Sequence, residues 1–292
     1  MGMVGGRIRR IPRGLLSQFY TELTPVKIYD LSGWSNHGVP YNGVKLVWSS
    51  KWAMSFTGGE DYVETLDSVD LDLTTHGVTL EVVVYPFYRA VDPSWASWQL
   101  IGKWAKLALG LKGGRENVQL GMYLSGNANW YSIGDKWRQW IHVCAVYEAN
   151  STTRHLYVNG QYLATDTSGS VVDATDKVII GKNNYTSIPY GYIALGRIYK
   201  RELDESEIEN NYGAVFDKTV MPVIDDSLVL WIEPDARWRQ VSGQVYDTSN
   251  YFPPFEVEED LSWNGIITEV NYQGGVARAK ILRHESKQVR LW

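Results

Sequence analysis

Four acidic runs decide whether bond-breaking chemistry is on offer. A retaining glycosidase needs two carboxyl groups about 5 Å apart. A strand supplies that spacing only from alternate positions on one face. In GGEDYVET, Glu60 and Asp61 are adjacent and point to opposite faces. In DSVDLDL, Asp70 and Asp72 share a parity, but they follow a turn and read as a solvated loop. LDESEIE reads as helix, and the alternating Glu256 and Glu258 of FEVEED lie late in the chain, beyond the main run of strands. The histidines His37, His76, His142, His155 and His284 show neither metal-ligand spacing nor a serine partner. Cys144 is the only cysteine, which excludes an internal disulfide, and its place between His142 and Val146 reads as a small buried apolar residue. The residues therefore predict no catalytic group, and the chain reads as not an enzyme.

Rings are the better-supplied resource. Thirteen Trp and nineteen Tyr outnumber six Phe, so most rings carry a polar handle as well as an apolar face. Such rings suit sheet cores, sugar platforms and protein interfaces. Three stretches place them in turns with amides beside them. SWASWQLIGKW holds Trp95, Trp98 and Trp104; GNANWYSIGDKW holds Asn127, Asn129, Trp130 and Tyr131; KNNYTSIPYGY holds Asn183, Asn184, Tyr185 and Tyr190. The expected carbohydrate-binding set is Trp95, Trp98, Trp104, Asn127, Trp130, Tyr131, Asn184 and Tyr185. Trp137 and Trp140 flank a strand and read as structural. A protein interface is the rival use of the turn rings, because Trp and Tyr also dominate interface energetics.

The elements that must position these rings are mostly strands. GVTLEVVVYPF (residues 77–87) alternates with period two and is apolar on both faces at its centre, as a strand buried on both sides would be. WQLIGKW and LALGLKG form a hairpin pair, and NVQLGMYLSG, KVIIGKN and YGYIALGRIYK continue the pattern. In WIHVCAVYEANSTTRHLYVNGQ, Ile141, Val143, Ala145 and Tyr147 share a face, and Asn159-Gly160 predicts a two-residue type I′ turn. One helix is expected near 204–212, with Asp204 and Glu207 as its capping box, Ile208 and Tyr212 on one face, and Gly213 ending it. Many strands with one short helix predict an all-β fold, a two-sheet antiparallel jelly-roll sandwich.

Bulk properties bound the rest. Of 292 residues, 44% are hydrophobic and 21% charged, and the net charge is −5. That permits a sizeable core and argues against nucleic-acid binding by a global basic field. The start of the chain lacks the apolar segment of a signal peptide, and no apolar run approaches membrane-helix length, so no membrane insertion is expected. Three segments are expected: an N-terminal arm (1–14), the jelly roll (15–216) and a β-rich C-terminal extension (217–292) that packs on the first domain or a neighbouring subunit. SLVLWIE and QVYDTSNY weakly echo GLLSQFY and KIYDLSGW, but FPPFEVEED breaks the echo.

Four stretches carry a family likeness. YDLSGWSNHG, MSFTGGEDYVET, WIHVCAVYEA with RHLYVNGQ, and GYIALGRIYKRELDESEIENNYG occur in the order and spacing of concanavalin A-like, laminin-G-like jelly rolls. The chain resembles in particular the pentraxin-like subgroup found in bacterial surface and phage or viral structural proteins. The resemblance implies two antiparallel sheets. It also implies a non-catalytic structural or adhesive role, as a virion capsid, spike or tail component with a glycan-binding-type jelly roll. A secreted or cell-surface lectin is the alternative, and a glycan hydrolase or lyase the second. The same reading implies other structural subunits as partners, homo-oligomers or virion assembly, surface glycans as ligands, and a virion or extracellular-surface location. No cofactor is expected. Calcium at the sandwich rim is the one exception the family suggests, with Asp30, Asn36, Asp61 and Asp173 as candidates by type. The residues themselves favour the reading that Asp30 and Asn36 fix a turn through side-chain to backbone hydrogen bonds.

Overall fold

The computed structural model describes residues 22–57, 60–73, 76–87, 97–103, 106–114, 117–168, 177–182, 191–216 and 220–234. It also describes the strand segments 238–241, 244–247, 255–257, 266–273 and 276–282. The expected N-terminal arm lies outside these residues.

Two antiparallel sheets of nine strands pack face to face. The first runs β1 (Glu22–Leu23), β4 (Lys45–Trp48), β5 (Trp52–Phe56), β16 (Gly191–Tyr199), β7 (Val78–Pro86), β12 (Ile141–Tyr147), β13 (Arg154–Val158), β14 (Gln161–Asp166), and β17 (Leu228–Ile232) joins it on β16. The second runs β11 (Tyr131–Gly134), β10 (Asn117–Leu124), β9 (Leu107–Gly114), β8 (Ser97–Lys103), β15 (Val178–Ile180), β6 (Tyr62–Thr65), β3 (Gly38–Tyr41), β2 (Pro25–Ile28), β20 (Phe255–Val257). Two further hairpins, β18 (Trp238–Val241) with β19 (Gln244–Asp247) and β21 (Ile266–Gln273) with β22 (Val276–Leu282), follow in the C-terminal region.

The strand patterns behave as their alternation requires. Val78, Leu80, Val82 and Val84 of β7, with Ile141, Val143, Ala145 and Tyr147 of β12, point into the main core between the sheets. The opposite face of β12 puts Cys144 and Val146 into a second cluster with Leu203 and Ile208, beneath the helix α1 (Glu205–Phe216). Cys144 is therefore buried, and burial pushes its thiol well above the usual range. Asn159 (φ 51°) and Gly160 (φ 75°) form the left-handed pair of a type I′ turn.

The capping box of α1 is formed on both sides. The Glu207 N–H donates to Asp204 Oδ1 at 2.9 Å, and the Asp204 N–H donates to Glu207 Oε2 at 3.1 Å. The expected stop at Gly213 is corrected: α1 runs through it to Phe216. The extra turn is held by packing, since Ala214 and Val215 are buried. A methyl group at Gly213 would meet nothing within 4 Å. Gly213→Ala is therefore expected to raise stability by about 0.5–1 kcal/mol in urea unfolding, by removing the backbone-entropy cost of a helical glycine.

Arg201 clamps the helix start to the following segment. Its guanidinium donates twice to Glu207, both at 2.6 Å, and to Asp225 at 2.7 and 3.0 Å. The Arg201 hydrogen bond is the main reason Glu207 lies below its usual value of 4.5. Burial raises Asp225, but Ser227 and Arg201 outweigh it and hold the carboxyl below 3.8. Both carboxyls thus bind protons more readily unfolded than folded. Their contribution is complete above the ordinary carboxylate range and is lost as pH falls through the lowered folded values. Melting temperature followed against pH should show this acid loss, and Arg201→Leu should flatten it.

The closing strand arrives from far along the chain. β5 pairs with the Gly191–Ile193 end of β16 and β17 with its Gly196–Tyr199 end, so β17 fills the half-edge that β5 leaves open. Asp30 fastens β17 to the opening turn, accepting from the N–H groups of Ser32 (3.0 Å), Asn36 (2.9 Å) and Trp231 (2.9 Å). The Asn36 amide donates to Val229 O at 2.8 Å. Burial pushes the Asp30 carboxyl upward despite these donors.

Candidate functional site

The outward face of the second sheet holds the aromatic site. Register pairs Gly110 with Gly121 and Lys112 with Gln119 across β9 and β10, and Gln99 of β8 with Gly110. Leu109, Leu111, Leu120 and Met122 take the inward positions. The outward positions are thus bare backbone at Gly110 and Gly121, and Trp130 lies on that floor. A methyl group at Gly121 would stand 2.9 Å from Trp130 Cε3, and one at Gly110 would stand 3.5 Å from Trp130 Cη2. Two glycines facing each other across a ladder make room that any side chain would fill.

The chain reaches Trp130 through a tight turn. Ser125 (φ 51°) and Gly126 (φ 80°) carry the turn, and Leu124 and Asn127 exchange both backbone hydrogen bonds, at 2.9 and 3.0 Å. Asn129 is then pinned to the other sheet: its N–H and amide donate to Asp166 at 3.2 and 2.9 Å. Arg154, buried like Asp166, donates to the same carboxylate. Burial would raise Asp166, but the hydrogen bonds from Ser168, Arg154 and Asn129 outweigh it and hold the group below the usual carboxylate range. Around the half-buried indole stand Tyr123, edge-on at 5.4 Å, and Lys112, whose ammonium lies 5.7 Å from the ring centroid. The Tyr123 hydroxyl is hydrogen-bonded to Ser97. The site offers an apolar ring, a hydroxyl and a cation: stacking together with hydrogen bonding.

A second station lies on the same face. Tyr41 and Tyr62, cross-strand partners on β3 and β6, stack at 4.7 Å with planes 15° apart. Lys182 Nζ lies 4.7 Å from the Tyr62 centroid.

The eight expected sugar-binding residues divide three ways. Trp130 forms the site, and Asn127 lies exposed on the turn that leads to it. Trp98 is corrected: it is 1% exposed, its indole N–H donates to Gly181 O at 2.7 Å, and it packs edge-on to Phe56 in the core. Its place at the start of an inward-facing strand parity decides this. Tyr131 is partly buried against the main core, and its hydroxyl donates to Thr165 O at 3.2 Å. Trp95, Trp104, Asn184 and Tyr185 lie outside the described residues. Tyr123, Lys112 and the two glycines were missed. The alternation of LALGLKG against NVQLGMYL places all four outward once the strands are put in register.

The other flagged groups have structural partners. Asp61 accepts from the N–H groups of Gly43 (2.7 Å) and Thr57 (2.8 Å). Asp30 and Asn36 tie the opening turn to β17. Asp173 lies outside the described residues. Among the described residues, no group of three or more His, Cys, Asp or Glu could hold a metal ion, and no helix is long and apolar enough to cross a membrane.

Two facing antiparallel sheets with rings on an outer face define a lectin-type jelly roll. The sequence matches the family model Laminin_G_3, the concanavalin A-like lectin/glucanases superfamily, over residues 57–209, just over half of the chain. The chain belongs to this superfamily. No curated protein matches the sequence. Among solved structures, it is similar to the binding domain of Paraclostridial Mosquitocidal Protein 1, at 17% identity and a TM-score of 0.52, covering 69% of this chain and 53% of that one. It is also similar to the botulinum neurotoxin serotype D binding domain, at 12% identity and a TM-score of 0.50, covering 68% and 51%. The chain thus spans about half the length of these structures, and at such identities the likeness is one of fold.

Proposed function

We propose that the chain is a non-catalytic adhesive module that contacts glycans through the Trp130 face. The observation that carries this is the indole laid on the Gly110–Gly121 floor, with Lys112 and Tyr123 beside it. A ring held in that way is pre-positioned, so little conformational freedom is lost when a sugar stacks on it. Membership of a lectin-bearing superfamily supports the same reading. Of the acidic residues flagged in the sequence, Asp61 accepts from the loop N–H groups of Gly43 and Thr57, and Glu207 is held by Arg201 and the helix cap, which supports binding rather than hydrolysis. The resemblance of the opening segments to phage and viral structural proteins supports placing the module on a virion, as a capsid, spike or tail part that assembles with other copies or subunits.

The test is a glycan array probed with the protein and with Trp130→Ala. The protein is expected to bind a restricted set of glycans, and removal of the ring to weaken that binding roughly tenfold to a hundredfold, the worth of one buried aromatic side chain. Binding unchanged in the variant, or absent from the array altogether, would overturn the reading. Light-scattering mass of the intact protein tests the assembly role, with a monomer at high concentration counting against it.

A further inference from the structure

Lys112 is a cation without a counter-ion. It takes an outward position on β9 and is half-buried, with Ser97 of β8 and Gln119 of β10 as its cross-strand partners. Neither partner carries a charge. Among the described residues no carboxylate forms an ion pair with the Lys112 ammonium, and its contact is the Trp130 ring, 5.7 Å to the centroid. Lys177, just before β15, has by contrast the Glu64 carboxylate at 2.8 Å.

The lack of an acid extends to the surrounding strands. β8, β9, β10 and β11 contain no Asp or Glu. Residues 97–134, which include these strands and Trp130, carry Lys103, Lys106, Lys112 and Arg115 against one acid, Glu116. The whole chain is charged the other way, at −5. Charges farther off than about 10 Å are largely screened at ordinary ionic strength, so a ligand at Trp130 meets the local sign. The carboxylate tied to the Trp130 turn, that of Asp166, is buried and neutralised by Arg154.

We infer that the Trp130 face selects acidic glycans, and that Lys112 reads the acid group, a carboxylate or a sulfate on the sugar stacked at the ring. This rests on Trp130 being a glycan contact and adds the class of sugar. A half-buried ammonium has given up part of its hydration with no partner to replace it. An anion arriving beside the ring supplies that partner, through charge-assisted hydrogen bonds about twice as strong as neutral ones. A neutral sugar can stack on the indole but leaves the ammonium as it was, and the difference between the two is the selectivity. Ammonium and ring centroid are 5.7 Å apart, so one sugar unit can stack on the ring and place its acid group at Lys112.

The experiment is a glycan array with three arms built on shared cores: neutral, carboxylate-bearing (sialylated or uronate-containing) and sulfated. It is probed with the protein, Lys112→Gln, Lys112→Arg and Trp130→Ala. The bound glycans are expected to be acidic, and their binding to weaken as sodium chloride is raised. Lys112→Gln should weaken it roughly tenfold, whereas Lys112→Arg should retain it, because the guanidinium keeps the charge. Binding in the carboxylate arm, the sulfate arm or both upholds the inference and says which acid is read. Neutral glycans bound as tightly as their acidic counterparts would overturn it while leaving Trp130 as a sugar contact. So would acidic binding that Lys112→Gln leaves unchanged. Acidic binding lost in Lys112→Gln but kept in Trp130→Ala would do the reverse, upholding the cation and removing the ring. No binding in any arm would overturn both.

Discussion

Arg197→Met is expected to lower the unfolding free energy by about 3–5 kcal/mol, the cost of removing one partner from a buried charge set. Arg197 lies at the centre of the outer face of the first sheet and is 2% exposed. It donates to Glu81 at 3.2 Å and to Glu233 at 3.3 Å, while His142 Nε2 stands 3.0 Å from the same Glu81 oxygen. Asn211 donates to the other Glu81 oxygen and is itself anchored to the Tyr199 hydroxyl at 3.1 Å. Burial acts to raise the Glu81 carboxyl, but Arg197 and His142 outweigh it and keep the group low. Without the guanidinium, two carboxylates would remain under the helix facing one another, and the balance would reverse. Urea unfolding of the variant gives the number. Replacing Glu81, Arg197 and Glu233 together with apolar side chains of similar volume is expected to recover most of the loss, because a buried ion set and a well-packed apolar set are close in free energy. A single-variant cost below about 1 kcal/mol would mean that the set does not hold the helix down.

Gly121→Ala is expected to weaken glycan binding as much as Trp130→Ala does, while leaving the ring in the chain. The added methyl would stand 2.7 Å from Asn129 O and 2.9 Å from Trp130 Cε3. Neither contact can persist, and the backbone oxygen cannot move freely, because Asn129 is fastened to Asp166. The indole must therefore leave its floor. Overpacking of this kind costs roughly 1–3 kcal/mol of stability, and the binding loss should match that of the ring deletion at roughly tenfold to a hundredfold. Gly213→Ala serves as a glycine-to-alanine control that leaves binding alone. Full binding by Gly121→Ala would remove Trp130 from the contact surface.

What could be read in the sequence was local. β7 and β12 were legible because their alternation has period two and few other residues interrupt it. The Asn159-Gly160 turn and the Asp204–Glu207 box were legible because each is a backbone requirement met by neighbouring residues. The end of α1 was misread because Gly213 carries a stop signal that the packing of Ala214 and Val215 overrides. Trp98 was misread because a ring near a turn and a ring at a strand start look alike until the register fixes the parity. The Arg197 set was invisible because Glu81, His142 and Arg197 sit singly in three apolar strands, where a charge reads as solvent-facing. Only the arrival of α1 over that face, with Glu233 following β17 beside it, buries them. The partnership of Asp30 with Trp231 spans most of the chain and leaves no local trace.

That last partnership has a consequence during synthesis. The family match ends at residue 209, yet Val229, Leu230 and Ile232 belong to the main core and Trp231 fastens the opening turn. A nascent polypeptide emerging from the ribosome would hold an unsealed sandwich until residue 232 is free. For that interval the vacant half of the β16 edge would be open to a strand from another copy.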